Sequence, residues 1–469
     1  MDMNYATPVV CTLATEEVER LSGKNGLAFH ELLSAFSNCQ LKTHFRSISS
    51  HYPLNELRVR FIRSSELRPR PINVAEELMR GVLVPRPGED DLLRHTPDGL
   101  DALELPWQRR FRSLLQESLS CCEESMTECP ALLMVAVATS DVNPVTCFEQ
   151  LDSAHFLPAS FQSGQFDSSV ARMYLLVHDM TSPPTERGVV DPEVVLRQMR
   201  QRFRGVHCQL LLINSLGEPN LTAPDVWAKS LAPIFFPDQI PRSVPLAVVR
   251  GCCLSADDML ALRELVIQVV TKEVVPAMEK RVATLNSTVS NSRKGMKNVI
   301  KSWWRKPREA EDRGAHQGAQ YRYDQIESQI LLLADSALVM KDYETALSNY
   351  RLVRDDFKSD KALLHQGCCQ VMVASCLQVL EGDGRSARRE MEASLRDACA
   401  SFHASQQAPS GLREVTLATR LATYASLLLA DLLGQQSGRH RDAAEVPPSP
   451  RNHHTSHTLL HRIGKTGIT

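Results

Sequence analysis

The apolar positions of the chain change period along its length. Ala131-Leu-Leu-Met-Val-Ala-Val137 is apolar throughout and stops at Thr139-Ser140-Asp141, the pattern of a strand buried on both faces. Met173–Val177, ending at His178-Asp179, and Gln209–Ile213 repeat it. Between these two, Asp191-Pro192-Glu193 offers an N-cap acceptor and a proline at the first helical position of a segment running to Phe203. Strand, helix and strand over about 40 residues predict a right-handed crossover in a mainly parallel sheet. Upstream, Val9–Leu13 is β-prone and Glu16–Phe36 reads as one helical stretch with Val18, Leu21, Leu27, Leu32, Leu33 and Phe36. Leu57–Phe61 alternates like a half-buried or edge strand.

From Ser255 the period becomes helical. Ser255-x-x-Asp258 can cap a helix, and Leu260, Leu262, Leu265, Val266, Val269 and Val270 follow it at helical spacing. The spacing predicts a long helix toward Ser290, with a bend expected at Pro276. Tyr323–Phe357 reads as two helices joined at Met340–Tyr343, with a third from near Asp360 to Leu380 and another over Leu412–Leu433. Leu332, Ala337, Tyr343, Ala346, Leu347 and Tyr350 alternate small and large as in a tetratricopeptide-type hairpin.

The expected fold is therefore an α/β N-terminal domain with a mainly parallel sheet, then an all-α tetratricopeptide-like region and a disordered tail. The boundaries are 1–254 for the α/β domain, 255–290 for the connecting helix and 291–308 for a basic amphipathic helix. A polar linker covers 309–320, the helical repeats 321–434 and the proline-containing tail 435–469.

Composition changes this picture little. With 469 residues, 43% hydrophobic and 23% charged, the chain has room for two or three domains and is neither fibrous nor globally disordered. A formal net charge of -2 gives no global pull toward nucleic acid, so any electrostatic partner must meet a local patch. Thirteen cysteines include three adjacent pairs but no C-x-x-C, which favours reduced structural thiols over zinc or redox sites. Met1–Leu13 lacks the make-up of a secretory signal, and no apolar run reaches membrane-spanning length. The expectation is a cytoplasmic chain whose membrane option is peripheral.

One local patch exists. In Ser292–Pro307, Met296, Val299, Ile300, Trp303 and Trp304 fall at i, i+3, i+4, i+7 and i+8, while Arg293, Lys294, Lys297, Lys301, Arg305 and Lys306 cover the rest. A helix with a narrow apolar face, paired tryptophans and a cationic flank suits a bilayer interface. Each cation near an anionic leaflet adds ~1 kcal/mol. The same pattern fits a surface helix that docks its tryptophans on the neighbouring repeats, or a calmodulin-type target.

Chemistry is otherwise sparse. Neither G-x-x-x-x-G-K-[ST] nor G-x-G-x-x-G occurs, so the sheet lacks the glycine loops that bring phosphate against backbone amides. G-x-S-x-G and H-E-x-x-H are missing too. His453, His457 and His461 are four apart but sit in the proline-flanked tail, and His178-Asp179 ends a buried strand with no nucleophile motif nearby. No catalytic, cofactor-binding or metal-ligating residue is assigned.

Several stretches resemble a known family. Leu105-Pro106-Trp107, Phe111 and Leu115, the strand Ala131–Val137 with Ser140-Asp141 and Pro144-Val145, and Tyr174–Asp179 look like its N-terminal block. Gly251-Cys-Cys-Leu-Ser255, Pro276, Glu279-Lys280, Leu285-Asn286 and Ser292–Trp303 resemble its long helix and amphipathic segment. Lys341-Asp-Tyr343, Ala346, Tyr350 and Asp355–Phe357 resemble its first helical repeat. The family is that of subunit 8 of the trafficking protein particle (TRAPP) complex, and the similarity runs over residues 5 to 435. The resemblance implies a non-enzymatic subunit of TRAPP III without a cofactor. It also implies other TRAPP subunits as partners, a Rab GTPase reached through the complex, and peripheral attachment to Golgi, ER-Golgi intermediate and pre-autophagosomal membranes. In that family the basic amphipathic helix helps hold the assembly on membranes. Members continue for hundreds of residues past the first repeats, so a fragment or short isoform is expected here.

Overall fold

The three apolar runs lie side by side in a five-stranded parallel sheet. The computed structural model describes residues 6–48, 50–67, 106–120, 122–181, 191–228, 249–299, 321–382, 384–408 and 411–435, with a few isolated residues besides. In chain order the first part contains β1 (Val9–Ala14), α1 (Glu16–Gly23), α2 (Phe29–Ser34), β2 (Asn38–Arg46), β3 (His51–Arg58) and β4 (Arg60–Arg63). There follow α3 (Pro106–Ser120), β5 (Leu132–Ala138), α4 (Pro144–Leu151), α5 (Ala159–Gln162), β6 (Ala171–Asp179), α6 (Pro192–Arg202) and β7 (His207–Ile213).

The sheet order is β4-β1-β5-β6-β7 with every neighbouring pair parallel. Numbering only these five in chain order gives 2-1-3-4-5, one of the two common doubly wound arrangements. All seven residues of β5 are buried, because helices cover both faces at the sheet centre. On one face α4 and α6 close a small core of Val135, Val137, Phe148, Tyr174, Leu176, Leu196 and Met199. The other face belongs to a much larger core that runs on into the C-terminal helices.

Two local readings need correction. Glu16–Phe36 is two helices, not one: Gly26 takes φ +65, and the side chain of Asn25 turns inward to donate to Asn214 Oδ1 at 2.7 Å, which breaks the helix between α1 and α2. Leu57–Phe61 is likewise split. β3 ends the antiparallel β2–β3 hairpin at Arg58, the Val59 amide donates to the Ser37 carbonyl at 2.9 Å, and the Arg60 amide donates to Pro8. A single residue thus moves the chain from one sheet to the other.

The helical part begins with α7 (Ala256–Gln268), where the Asp258 amide donates to Ser255 Oγ at 3.2 Å and the Ser255 amide to Asp258 Oδ2 at 3.0 Å, a reciprocal cap. One π-helical stretch, Val269–Val274, leads into α8 (Val275–Val299). The irregularity therefore precedes Pro276 rather than centring on it. Proline has no amide to return to the turn before it, and widening that turn accommodates the loss.

Then come α9 (Ile326–Val339), α10 (Tyr343–Ser359), α11 (Leu363–Glu381), α12 (Arg385–Gln407) and α13 (Leu412–Gly434), each packed on the next. Helix α12 has no counterpart in the sequence reading, although Ala387, Met391, Leu395, Ala398 and Phe402 give it a buried stripe. Against it α11 presents Gly367, where an added Cβ would lie 2.5 Å from Phe402 Cε1. Helices α11 and α13 are long and apolar enough to cross a membrane, yet 67% and 61% of their apolar windows are buried inside the protein. Their hydrophobicity serves the core.

The repeats sit directly on the α/β part. Asp335 of α9 accepts from the Met126 amide at 2.6 Å and from Tyr350. The Tyr52 hydroxyl donates to the Met340 carbonyl at 3.1 Å, the Tyr323 amide to Gly164 at 2.9 Å, and Ser47 bonds the α10 cap Asp342. At the far end Arg112 of α3 pairs with Asp431 of α13. All described cysteines are free thiols.

Candidate functional site

Helix α8 carries the first half of the basic amphipathic segment. Val275, Met278, Val282 and Val289 are buried and Leu285 partly so. The Arg281 guanidinium donates to the Cys129 carbonyl at 3.4 Å and to that of Pro130, pinning the helix to the start of β5. The helical backbone continues to Val299. Arg293, Lys294, Met296, Lys297 and Val299 thus lie on one helix with the buried stripe, although their side chains lie outside what is described. Ile300, Lys301, Trp303, Trp304, Arg305 and Lys306 also lie outside the described residues, as do His453, His457 and His461. In sequence, steps of seven lead from Val275 through Val282 and Val289 to Met296 and Trp303, so the apolar register of the core helix passes without a break into the segment.

The second location is the carboxyl end of the sheet, where the strand order reverses between β1 and β5 and open α/β sheets bind ligands. Here it is filled by the chain itself. Thr15 Oγ1 donates to Asp141 Oδ2 at 2.8 Å, the Ala138 amide donates to the same oxygen at 2.8 Å, and Ser140 donates to Glu17 Oε1 at 2.7 Å. Burial pushes the Asp141 carboxyl up, and nearby Glu17 adds to this against those hydrogen bonds. Hydrogen bonding to Arg20 holds Glu17 below the usual carboxylate range. With Glu16, Glu17 and Glu19 in its first turn, α1 presents carboxylates where a phosphate-binding helix would present bare amides, and an anionic ligand meets repulsion there.

His178 and Asp179 do not form a pair. Alternation along β6 sends them to opposite faces. His178 Nδ1 lies 2.7 Å from Thr139 Oγ1, and burial pushes its ring pKa down. Asp179 is buried and held by Lys24 and Thr181; burial would raise its carboxyl, and these partners bring it below the usual range instead. Next to it, Asn25, Asn214 and Cys253 form a closed set. Asn25 Nδ2 donates to Asn214 Oδ1, Asn214 Nδ2 donates to the Leu21 carbonyl at 3.2 Å, and the Cys253 backbone amide donates to Asn25 Oδ1 at 2.9 Å. Sequence reading misses this set, because its members are remote in the chain. The one local signal is an asparagine directly after a strand, a residue type that tolerates the φ of +61 found at Asn214.

Residues 3–437 match the family described as the ER-Golgi trafficking TRAPP I complex 85 kDa subunit. Human trafficking protein particle complex subunit 8 is 22% identical over 456 residues, an alignment that covers 78% of this chain and 31% of that protein. The chain thus spans about a third of the length of that relative. With every described strand and helix inside the matched residues, the chain belongs to the family of the ER-Golgi trafficking TRAPP I complex 85 kDa subunit.

Proposed function

We propose that this chain is a non-catalytic subunit of the TRAPP III tethering and Rab nucleotide-exchange complex. In this reading it helps recruit that complex to membranes in ER-to-Golgi transport, Golgi organisation and autophagosome formation. Its partners are other TRAPP subunits, a Rab GTPase reached through the complex, and an anionic bilayer met peripherally from the cytoplasm. The observation that carries the reading is the unbroken α8 backbone from the core to Val299. In sequence Met296 and Val299 continue the spacing of that helix's apolar stripe, with Arg293, Lys294 and Lys297 around it. Ile300, Lys301, Trp303, Trp304, Arg305 and Lys306 complete the face in sequence. Six cations at ~1 kcal/mol each near an anionic leaflet outweigh what so narrow an apolar strip supplies alone.

The carboxylate-filled switch point supports a scaffold over a nucleotide-binding role. The test is flotation of the chain with vesicles containing phosphatidylserine. The double variant Trp303→Asp, Trp304→Asp is expected to lose most of its flotation, and undiminished flotation of that variant rejects the membrane role of residues 293–306. Affinity capture from cells should recover the small TRAPP subunits.

A further inference from the structure

Among the described residues the hairpin β2–β3 pairs with no strand of the parallel sheet. Its inner face is core: Cys39, Leu41, Phe45, Leu54 and Leu57 are buried. Its outer face is open and cationic. Asn38 faces Arg58, Gln40 faces Glu56, His44 faces Pro53 and Arg46 faces His51 across the two strands, all exposed, with Lys42 exposed between them. Three permanent cations, Lys42, Arg46 and Arg58, thus share a face with one carboxylate, Glu56. The side chains of these three form no ion pair or hydrogen bond among the described residues. In a chain of net charge -2, such a face is a local positive field that Glu56 offsets only in part.

We propose that this outer face is a second contact for the anionic headgroups of a lipid bilayer, beside the 293–306 segment. The proposal rests on the membrane reading above and adds a surface to it. Two observations favour lipid over an acidic protein. A two-stranded sheet face is broad and pleated rather than concave, so it matches a planar charged layer better than it encloses a peptide. The hairpin is also tied to the helix that leads to the segment, since the Arg46 amide donates to Glu279 Oε1 on α8 at 2.6 Å.

The test uses the full chain in four forms: unaltered, Lys42→Gln with Arg46→Gln and Arg58→Gln, Trp303→Asp with Trp304→Asp, and all five changes together. Each is floated with phosphatidylcholine vesicles with and without phosphatidylserine, at low and high salt. At ~1 kcal/mol per cation, the hairpin changes are expected to weaken binding to anionic vesicles by about a hundredfold at low salt. The effect should shrink at high salt, with the thermal midpoint unchanged. A loss of less than about threefold on anionic vesicles overturns the proposal. So does retained vesicle binding with lost binding to polyglutamate, which assigns the face to an acidic protein. Failure of the tryptophan variant to lose binding rejects the 293–306 reading alone, since the hairpin changes are then still scored against the unaltered chain.

Discussion

Asp335 gives the most discriminating test of how the two parts of the protein are joined. Its side chain is buried between α9, α10 and the turn before β5, where it accepts from the Met126 amide and the Tyr350 hydroxyl, with Ser125 alongside. Burial pushes its carboxyl from 3.8 up to about 6 against those hydrogen bonds. No cation pairs with it among the described residues, and the thiols of Cys129, Cys369 and Cys376 that sense its charge are themselves pushed up by burial. The folded state therefore holds the proton more tightly than the unfolded chain does. Stability from this group is present below the unfolded value and is lost as pH rises from about 4 through about 6. Relative to pH 7.5, a carboxyl with these two values adds ~1 kcal/mol, about tenfold in the folding constant, at pH 5.

The assay is urea unfolding of the parent and of Asp335→Asn at pH 5, 6 and 7.5. The difference between the two should shift toward the parent by ~1 kcal/mol on acidification. The carboxyl meets its two donors with different oxygens, and an asparagine in its place keeps only one of these as an acceptor. Its NH2 can donate to the Tyr350 hydroxyl oxygen, which accepts as well as donates, so the variant resembles the protonated acid and only the pH-dependent part reports the titration. A difference that stays flat, or moves toward the variant as pH falls, refutes the reasoning, because it means the carboxyl is stabilised in its charged form.

Two further substitutions test other joints. Lys24→Met leaves Asp179 buried without its cation and should cost ~3–5 kcal/mol, measured as a lower urea midpoint; pairing it with Asp179→Leu should recover much of the loss, and no recovery means the ion pair is not the cause. Gly367→Ala sets a methyl 2.5 Å from Phe402 Cε1 and should destabilise by ~1–3 kcal/mol through forced separation of α11 and α12; measured in a Phe402→Ala background, where the clash is gone, the same change should cost less.

Elements whose burial is uniform or strictly periodic could be read from the sequence. The strands β5 and β6 and the reciprocal Ser255–Asp258 cap were legible, as were the proline-led α6 and the tetratricopeptide-like spacing from Leu332 to Tyr350, because each is set by contacts between near neighbours. Helix α12 was legible in principle from its four-three spacing, but arginines and glutamates between its apolar positions hid it. The folded chain, by contrast, sets where the backbone leaves one sheet for the other at Val59 and where the helix breaks at Gly26. It also closes the carboxyl end of the sheet with Lys24, Asn25, Asn214 and Cys253, and no local pattern records partners more than a hundred residues apart. The same holds for the role of the most apolar helices: hydropathy cannot distinguish a span from a core helix, and only the packing of α11 and α13 shows that most of their apolar surface is covered by the rest of the protein.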